Sequence, residues 1–364
     1  MRSIREVPDL AGKTVLMRVD FNLESADDAL KLEKSLPTIK YLLDKNVKLV
    51  LVSHRGRPAG KVVPELSLDF ALPFLRERVS PQATLFQNFD FSDIGAQVVA
   101  APAGSLFVLE NIRFAPGEEA EDAEFAKGLA SLGDIYVNDA FAVDHHASVS
   151  VSGLAKLLPA YAGFLVEDEV KHLSRVLTEA EQPMVVIIGG GAKAGEKFAV
   201  IKNLYDRASV FLIGGVMANT FLKARGADMG NSQTDDTITA DVANYLHDPK
   251  IVVPTDFVFD EKKRALDLGP ESAKQYAQVI ASAKTVIWNG TMGMFEDPKY
   301  RDGSLAIAQA IAGSGAFSVL GGGETTQFIL QEKMADKFSF LSTGGGAMLA
   351  YLAGKPMPGL DAIK

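Results

Sequence analysis

The sequence predicts an α/β protein built from two doubly wound, Rossmann-like domains, each with a parallel sheet. Short apolar runs alternate with stretches of helical periodicity along the whole chain, and this alternation is typical of parallel sheets covered by helices. A length of 364 residues exceeds what one hydrophobic core usually supports. We therefore expect two domains joined by a helix, with a ligand-binding cleft between them.

The first half of the chain supplies one series of these elements. Apolar runs predict the strands, and the helical repeat is seen where Leu32, Leu36, Ile39 and Leu43 recur every three or four residues. These elements form the predicted N-terminal domain, residues 1–157. The predicted strands are Thr14–Val19, Lys48–Val52, Leu106–Leu109 and 135–137, and a further helix is expected around Phe125, Leu129 and Leu132.

A proline and several small residues between 152 and 163 mark the predicted junction of the two domains. The linking helix follows at 164–177, with acidic residues in its first turns and basic residues near its end. The helix dipole favours this distribution of charge. The C-terminal domain is expected at 158–349, including the linking helix.

The composition excludes several classes of function. The chain has no cysteine, so disulfides, thiolate metal sites and thiol nucleophiles are excluded. A net charge of -9 argues against a nucleic-acid partner. No apolar run approaches the roughly 18 residues of a membrane span, and the first residues lack the apolar stretch of a signal peptide. We therefore expect a cytoplasmic protein with no membrane partner.

Four predicted strands of the second half end in glycine clusters, and a helix-like stretch follows each one. Glycine lets the backbone approach a ligand closely, and a helix N-terminus directs unpaired N–H groups and its positive dipole end beyond the strand. One cluster could serve only as a tight turn, but four at one sheet edge indicate a phosphate-binding site. The clusters are 189–191, 214–215, 321–323 and 344–346, after apolar runs 185–188, 210–213, 317–320 and 338–341.

Polar and cationic side chains follow the strands of the first half instead. Arginine forks match phosphate and carboxylate oxygens, so these strand ends imply a small, highly anionic ligand. The alternative is a set of surface salt bridges, which we favour for Arg55 alone, whereas Arg57 with His54 favours anion binding. The residues at these strand ends, which also include the apolar Phe21 and a glycine, are Asp20, Phe21 and Asn22, then His54, Arg55, Gly56 and Arg57, then Arg113, and finally His145 and His146.

Eight motifs, in order along the chain, resemble those of the phosphoglycerate kinase family. The resemblance implies reversible phosphoryl transfer between ATP and the carboxylate of 3-phosphoglycerate, giving ADP and 1,3-bisphosphoglycerate, with Mg²⁺ as cofactor. It also implies a monomer whose C-terminal tail, about 350–364, packs back on the N-terminal domain. The motifs are RVDFN at 18–22, SHRGRP at 53–58, LENIRF at 109–114, NDAF at 138–141, GGAK at 190–193, WNGTMG at 288–293, GGGET at 321–325 and STGGG at 342–346.

The resemblance assigns the acceptor to the N-terminal domain and the nucleotide to the C-terminal domain. The implied catalytic residues are Lys193, which accompanies the transferring phosphoryl group, with Lys31, Gly322 and Gly345. The implied acceptor-binding residues are Asp20, Phe21, Asn22, Lys31, His54, Arg55, Gly56, Arg57, Arg113, His145 and His146. The implied nucleotide-binding residues are Gly191, Ala192, Lys197, Gly214, Gly215, Asn289, Gly293, Glu296, Gly322, Gly323, Glu324 and Thr325, with Glu324 as the Mg²⁺ ligand.

Other nucleotide-binding motifs fail on the same residues. Gly190 and Gly195 have the glycine spacing of a P-loop, but Glu196 stands where its lysine belongs. Residues 189–194 fit a dinucleotide fingerprint, but the strand that should end in its acidic residue runs into glycines instead. The signature loops of protein kinases are absent from the sequence.

The chain departs from the family pattern mainly at the acceptor site. Lys31 replaces an arginine, and the adjacent His145 and His146 indicate the deletion of another. Glu324 replaces an aspartate at the metal, while Thr291 and Val216 replace a proline and a glycine near the nucleotide.

These departures leave three interpretations of the function. A working phosphoglycerate kinase is favoured. A related phosphotransferase for another small carboxylate or acyl phosphate stays open because the acceptor site has lost two arginines. A nucleotide-binding protein with little catalysis is the third, but the retention of Lys193 and Lys197 argues against it.

Overall fold

The structure, a computed structural model, describes residues 1–23 and 29–364. The chain forms two compact units, of which the first is Met1–Val170 with Pro356–Lys364 and the second is Lys171–Lys355. Each unit contains a six-stranded parallel sheet. The predicted α/β class with two parallel sheets is confirmed, and the domain limits of 1–157 and 158–349 stay a prediction.

The sheet of the first unit is built around its first strand. Its strands are β1 (Thr14–Val19), β2 (Lys48–Val52), β3 (Thr84–Phe86), β4 (Leu106–Leu109), β5 (Ile135–Asp139) and β6 (Ala160–Ala162). They lie in the order β3-β4-β2-β1-β5-β6, and all neighbours are parallel. The chain turns back between β1 and β5, and such a switch point is where open α/β sheets bind ligands.

Helices cover this sheet, so its central strands are apolar on both faces. The helices are α1 (Ala29–Asp44), α2 (Ala71–Arg78), α3 (Phe91–Ala100), α4 (Pro116–Glu119), α5 (Ala123–Ala130) and the first part of α6 (Phe164–Thr178), whose residues from Lys171 onward belong to the second unit. Leu32, Leu36 and Ile39 of α1 are buried, and Leu43 is partly buried against the core, as the helical repeat predicts. Asp122 begins α5 by accepting a hydrogen bond from the N–H of Phe125 at 2.7 Å.

The segment 152–163, predicted as the junction of the two domains, contributes a strand to the first sheet. It contains β6, whose Ala160 and Ala162 pair in register with Tyr136 and Asn138 of β5. Both alanines are fully buried, because small side chains fit where the edge strand is covered. The small residues of this strand therefore reflect close packing in the first sheet, and the position of the junction stays a prediction.

The sheet of the second unit is also parallel. Its strands are β7 (Met184–Ile188), β8 (Val210–Ile213), β9 (Ile251–Val252), β12 (Thr285–Asn289), β13 (Phe317–Gly321) and β14 (Phe340–Leu341), and β10 (Phe257–Phe259) and β11 (Ala265–Leu268) form a separate antiparallel pair. The order is β14-β13-β12-β7-β8-β9, with the switch point between β7 and β12. The run predicted at 338–341 pairs only over its last two residues. At Ser339 the backbone N–H donates to the hydroxyl of Ser318 instead, and the N–H of Ser318 donates to the hydroxyl of Ser339.

A helix follows each of the four glycine clusters, as predicted. The helices after β7, β8, β13 and β14 are α7 (Ala194–Leu204), α8 (Gly215–Ala224), α12 (Gly323–Gln331) and α13 (Gly346–Leu352), and the others are α9 (Thr239–Ala243), α10 (Pro270–Ala281), α11 (Asp302–Ser314) and α14 (Pro358–Ala362). The last, α14, belongs to the first unit. In the described ranges, no helix is both long enough and apolar enough to cross a membrane.

The first turn of α6 is fixed by Asp139 at the end of β5. Its Oδ1 atom accepts the N–H of Leu165 at 2.9 Å, and the hydroxyl of Thr38 accepts the N–H of Phe164 at 3.0 Å. A Cβ atom on Gly163 would lie 2.2 Å from the same Oδ1 atom. Glycine is therefore required where the helix begins.

We expect Gly163→Ala to lower the free energy of unfolding by roughly 2–3 kcal/mol, because the added methyl group displaces the capping carboxyl group. Gly313→Ala is the matched control, since a Cβ atom there has no neighbour within 4 Å inside α11, and it should stabilise the protein by about 0.5–1 kcal/mol. Urea unfolding of both variants measures the difference. Equal effects in the two variants would contradict the assigned role of Gly163.

Candidate active site

Asn22 joins the loops that follow β1 and β2. Its Oδ1 atom accepts the backbone N–H of Gly56 at 2.8 Å, and its own N–H donates to Oδ1 of Asp20 at 3.1 Å. Because β1 and β2 are neighbouring parallel strands, their carboxyl ends bring both loops to one edge of the sheet. Asp20, Asn22 and Gly56 therefore lie together, as predicted for an anion site.

Phe21 supports this edge through packing. Its side chain is fully buried, and its N–H donates to the hydroxyl of Ser53 at 2.9 Å. The same hydroxyl donates to the carbonyl of Val19 at 2.8 Å. Ser53 thus ties the ends of β1 and β2, and the Phe21 side chain does not face the ligand edge.

A tight turn explains the glycine between two arginines. Gly56 has a φ of +61°, in the left-handed region that favours glycine, and a Cβ atom there would lie 2.9 Å from the methyl groups of Leu66. Asn111, after β4, donates from Nδ2 to the carbonyls of Arg55 and Leu66 at 2.7 and 2.9 Å. A third strand end therefore fixes the turn.

The structure does not bring Arg55 into this group. Its guanidinium donates to the carbonyl of Glu65 at 2.9 Å and lies 4.6 Å from the ring centroid of Phe70. Both contacts direct the side chain toward 64–70, a surface placement like the one we favoured for it. They are carbonyl and aromatic contacts and not the expected ion pair.

Arg57 and Arg113 differ in whether their guanidinium groups already bond to other residues. Arg113 donates to the carbonyl of Gly56 at 2.9 Å and pairs with Glu119 at 3.2 Å. Arg57 is exposed and makes no hydrogen bond or ion pair with any residue in 1–23 or 29–364. Its five donors are therefore available to an anion.

Lys31 is paired with Asp20. Its Nζ atom lies 3.1 Å from Oδ2 of Asp20 and donates to the carbonyl of Asn22 at 3.1 Å. Burial raises the pKa of the Asp20 carboxyl, but the charge of Lys31 and the N–H of Asn22 outweigh burial and hold this pKa below its ordinary value. Asp20 is therefore ionised and compensates part of the charge of Lys31.

His54 is buried and lies against Arg18 of β1. Its Nδ1 atom is 3.1 Å from Nη2 of Arg18. Burial, followed by the charge of Arg18, holds the pKa of His54 well below its ordinary value, although Asp20 acts in the opposite direction. His54 is therefore neutral at physiological pH.

His145 and His146 follow the 3-10 helix Phe141–Val143 at the end of β5. Their ring centroids are 3.8 Å apart, with His145 half-buried and His146 exposed. Since β5 is the neighbour of β1, the pair belongs to the same sheet edge as Asp20.

Asp144, which carries no assignment from the sequence, is buried beside this pair. Its Oδ1 atom accepts from Nδ2 of Asn138 at 2.6 Å, and its carbonyl accepts the N–H of Gly359 in α14 at 3.0 Å. A Cβ atom on Gly359 would lie 2.0 Å from Oδ1. Burial raises the pKa of Asp144 to about 8, so the carboxyl group is protonated at neutral pH.

In the second unit, the loops after β7, β8 and β12 pack backbone against backbone. The N–H of Gly190 donates to the carbonyl of Thr291 at 2.6 Å. A Cβ atom on Gly215 would lie 2.4 Å from the carbonyl oxygen of Gly190, and one on Gly290 would lie 2.2 Å from that of Gly189. Only glycine fits these contacts, so the three loops form one compact edge.

Lys193 has an unusual backbone conformation. It precedes the first residue of α7 with a φ of +60°, which costs a residue with a Cβ atom about 1 kcal/mol or more. Gly191, Ala192 and Lys193 are exposed, and Nζ of Lys193 lies 3.8 Å from Oε2 of Glu196. Such strain is concentrated at functional sites, which supports the predicted role.

Lys197 and Glu324 flank the same glycine. A Cβ atom on Gly190 would lie 2.8 Å from Nζ of Lys197 and 2.9 Å from Oε2 of Glu324. Nζ of Lys197 donates to the carbonyl of Gly189 at 2.7 Å. Burial lowers the pKa of Lys197 to about 8, although the charge of Glu324 opposes this shift. An added anion would therefore favour the charged form of Lys197.

The amide of Asn289 has an unused donor. Its Nδ2 atom is buried and has no hydrogen-bond partner in the described parts of the chain. A Cβ atom on Gly322, whose φ is +103°, would lie 3.1 Å from it. Thr325 and Gly323 lie in the first turn of α12, and the Thr325 hydroxyl accepts the N–H of Gly290 at 2.8 Å. A buried donor without a partner is costly, so this position fits a ligand atom.

The remaining residues predicted in the second unit lie in the loops after β8, β12 and β14. A Cβ atom on Gly293 would lie 2.2 Å from Oδ1 of Asp267, so packing explains this glycine. Glu296 is exposed. Gly214 precedes the first residue of α8, and Gly345, with a φ of +48°, precedes that of α13.

Several buried polar residues of the first unit carry no assignment from the sequence. Among them are Arg18, Glu118 and Ser150. A charged residue inside the apolar strand 14–19 is a signal that identifies Arg18. Glu118 and Ser150 have no such signal, because tertiary contacts alone decide their partners.

Comparisons with known proteins agree on one family. A family model described as phosphoglycerate kinase matches residues 4–355. The phosphoglycerate kinase of Herpetosiphon aurantiacus is 40% identical over 390 residues, covering 100% of this chain and 98% of the relative. That of Moorella thermoacetica is 39% identical over 382 residues, covering 98% and 97%.

Solved structures of the same family are similar over the full length. The structure of phosphoglycerate kinase from Coxiella burnetii has a TM-score of 0.85 and 31% identity, covering 99% of this chain and 98% of that one. The structure from Pyrococcus horikoshii OT3 has a TM-score of 0.88 and 29% identity, covering 100% and 98%.

We expect Asp144→Asn to change how stability depends on pH. An acid whose pKa is raised by folding to about 8 contributes stability at low pH that is lost as the pH rises from about 4 to 8. The side-chain oxygen of an asparagine can still accept the hydrogen bond from Nδ2 of Asn138, and asparagine cannot ionise. Between pH 5 and 9, the free energy of unfolding of the variant should therefore rise by roughly 2–5 kcal/mol relative to that of wild type. Urea unfolding at each pH measures this difference. If the free energies of unfolding of the two proteins change in parallel with pH, Asp144 is not a buried, protonated group.

Proposed function

We propose that this chain, which belongs to the phosphoglycerate kinase family, catalyses reversible phosphoryl transfer between ATP and the carboxylate of 3-phosphoglycerate, giving ADP and 1,3-bisphosphoglycerate. It is an ATP-dependent phosphotransferase of glycolysis. The observation that carries this proposal is the presence of two distinct sheet edges, one rich in anion-binding side chains and one rich in glycine-led helix N-termini with two lysines. These are the parts that phosphoryl transfer requires.

The acceptor-binding residues proposed in the first unit are Asn22, His54, Arg57 and Arg113. The exposed guanidinium of Arg57, without a protein partner in the described residues, supports this role, because a bidentate fork suits a phosphate or carboxylate group. Arg113 is half-buried and oriented by the carbonyl of Gly56 at 2.9 Å. Its charge would neutralise a second anionic group of the acceptor.

The nucleotide phosphates are proposed to bind at the N-termini of α7 and α12. Backbone N–H groups and the helix dipoles favour anions there, and the unused Nδ2 donor of Asn289 fits an oxygen of the nucleotide. Lys197 supplies positive charge at the same edge. The exposed Glu296 is the proposed partner of the ribose hydroxyls.

Glu324 is the proposed ligand of Mg²⁺. Among the described residues, no group of three or more acidic or histidine side chains converges on one point. This fits a Mg²⁺ ion held mainly by nucleotide phosphates and water with one protein carboxylate. When bound, the ion neutralises charge on the phosphates.

Lys193 is the proposed transfer residue. Negative charge develops on the transferring phosphoryl oxygens, and a positioned ammonium group stabilises it without a covalent step. The side chain of Lys193 is 51% exposed and its only ion pair in the described ranges is with Glu196, at 3.8 Å, so a bound phosphoryl group can compete for it.

We also propose a cytoplasmic monomer.

A second candidate acceptor, another small carboxylate, is favoured by the state of Lys31. Asp20 already compensates part of its charge at 3.1 Å. The site therefore offers less uncompensated positive charge than a cluster of unpaired arginines would.

We predict that Lys193→Ala abolishes turnover of ATP with 3-phosphoglycerate while changing ADP affinity by less than about tenfold, because its charge acts mainly in the transition state. Lys223→Ala, at an exposed lysine of α8, is the control and should behave as wild type. Coupled turnover and calorimetric ADP binding measure the two effects. Parallel loss of ADP binding and turnover would make Lys193 a ground-state ligand instead.

We predict that KM for 3-phosphoglycerate rises between about pH 6 and 8 if His145 or His146 meets the acceptor as a cation, because imidazole ordinarily loses its proton near pH 6.5. Replacing both histidines with glutamine should weaken binding mainly at the acidic end. Arg57→Ala and Arg113→Ala should raise KM at every pH, since guanidinium stays charged.

The comparison must be made between variant and wild type at each pH, because the substrate phosphate itself titrates near pH 6. Identical pH profiles for the double variant and wild type would show that the two histidines do not meet the acceptor.

A further inference from the structure

Arg18 is a buried cation held by defined partners on all three guanidinium nitrogens. Its side chain lies in the middle of the first sheet and is 2% exposed. Nε donates to the hydroxyl of Ser150 at 2.9 Å, Nη1 donates to the carbonyl of Val19 at 2.5 Å, and Nη2 lies 3.1 Å from Nδ1 of His54. Guanidinium can donate but never accept. The Nδ1 atom of His54 must therefore be the acceptor, without a proton of its own.

Ser150 connects Arg18 to a buried carboxylate. Its hydroxyl accepts from Arg18 and donates to Oε1 of Glu118 at 2.6 Å. Glu118 is 2% exposed, and its two oxygens also accept the N–H of Ser150 at 2.9 Å and the hydroxyl of Ser148 at 2.7 Å. Glu118 thus fixes the direction of the Ser150 hydroxyl, which leaves an oxygen lone pair toward Arg18.

We propose that Glu118, Ser150 and Arg18 form a hydrogen-bonded relay that holds His54 in the tautomer protonated at Nε2, so that His54 meets an anionic acceptor as a neutral hydrogen-bond donor. His54 is the binding residue, and the other three are positioning residues. This inference rests on the proposed function for the identity of the anion. The relay itself is a property of the free protein.

The surrounding charges disfavour the imidazolium form. Arg18 on β1, Arg113 after β4 and Lys31 on α1 all oppose a second proton on His54, as does its burial, and Asp20 alone favours it. Nε2 makes no hydrogen bond to any part of the chain that the structure describes. Its N–H is therefore available to a phosphate or carboxylate oxygen, with its direction set by Arg18 on the opposite side of the ring.

The tautomer can be read directly by ¹⁵N NMR of the full-length protein labelled at histidine. The chain has 5 histidines, and His54→Gln assigns the His54 signals by their loss. We expect a protonated Nε2 and a bare Nδ1 for His54, unchanged from about pH 5.5 to 8.5, the range in which an ordinary imidazole titrates. A proton on Nδ1, or titration near pH 6.5, would overturn the proposal. This experiment needs no substrate, so its result is independent of the proposed function.

A second experiment compares KM for 3-phosphoglycerate in His54→Gln and His54→Ala. The side-chain amide of a glutamine at this position can donate from a point close to that of Nε2, whereas an alanine side chain has no donor. We expect KM to rise roughly 10- to 100-fold in His54→Ala, as for a lost hydrogen bond to a charged group, and by less than about tenfold in His54→Gln. Equal losses would indicate that the charge of an imidazolium matters, and would contradict a neutral donor.

The relay is tested by Ser150→Ala against Ser148→Ala, a matched pair on the same carboxylate. We expect only Ser150→Ala to give a mixture of His54 tautomers and a raised KM, because only Ser150 touches Arg18. If Ser150→Ala leaves the tautomer unchanged, Glu118 and Ser150 are not positioning residues and that part of the proposal fails. Should Ser150→Ala not fold, the wild-type spectrum still decides the tautomer. Absence of turnover with a correct tautomer would count against the proposed function alone.

Discussion

Close backbone packing at the carboxyl edge of each parallel sheet is the constraint on which both candidate sites depend. In the second unit, Cβ atoms on Gly215 or Gly290 would lie 2.4 and 2.2 Å from neighbouring carbonyl oxygens, so side chains are excluded at the points where these loops meet. In the first unit, Asn22 bonds to Gly56 at 2.8 Å. This bond sets the positions of the cations around it, because the turn at Gly56 leads directly to Arg57.

The positively charged side chains of the first site differ in how far neighbouring groups of the protein neutralise them. Arg18 is buried and linked to Glu118 only through Ser150, Lys31 is paired with Asp20 at 3.1 Å, and Arg57 has no partner among the described residues. The uncompensated positive charge of this edge is therefore greatest at Arg57. The buried Arg18 acts differently, because we propose that it fixes the protonation of His54.

The sequence predicts the α/β class and the glycine-led helices because strand and helix periods and glycine clusters are local signals. The placement of most candidate site residues at one sheet edge could also be predicted, since the strand ends of one parallel sheet must meet. Three contacts could not be predicted, because each depends on residues that are not neighbours in sequence. They are the contact of Arg55 with Phe70, the pairing of Lys31 with Asp20 and the contact between Asp144 and Gly359. The strand at 160–162 was not predicted, because its small residues resemble those of a linker.

The central claim is that this protein transfers a phosphoryl group between ATP and 3-phosphoglycerate. A coupled assay with ATP, Mg²⁺ and 3-phosphoglycerate, repeated with glycerate and other small carboxylic acids, tests it most directly. The account predicts a kcat/KM for 3-phosphoglycerate at least about a hundredfold above that for glycerate, since Arg57 and Arg113 would lose a phosphate partner. Equal or higher activity with an acid that lacks the phosphate would contradict it.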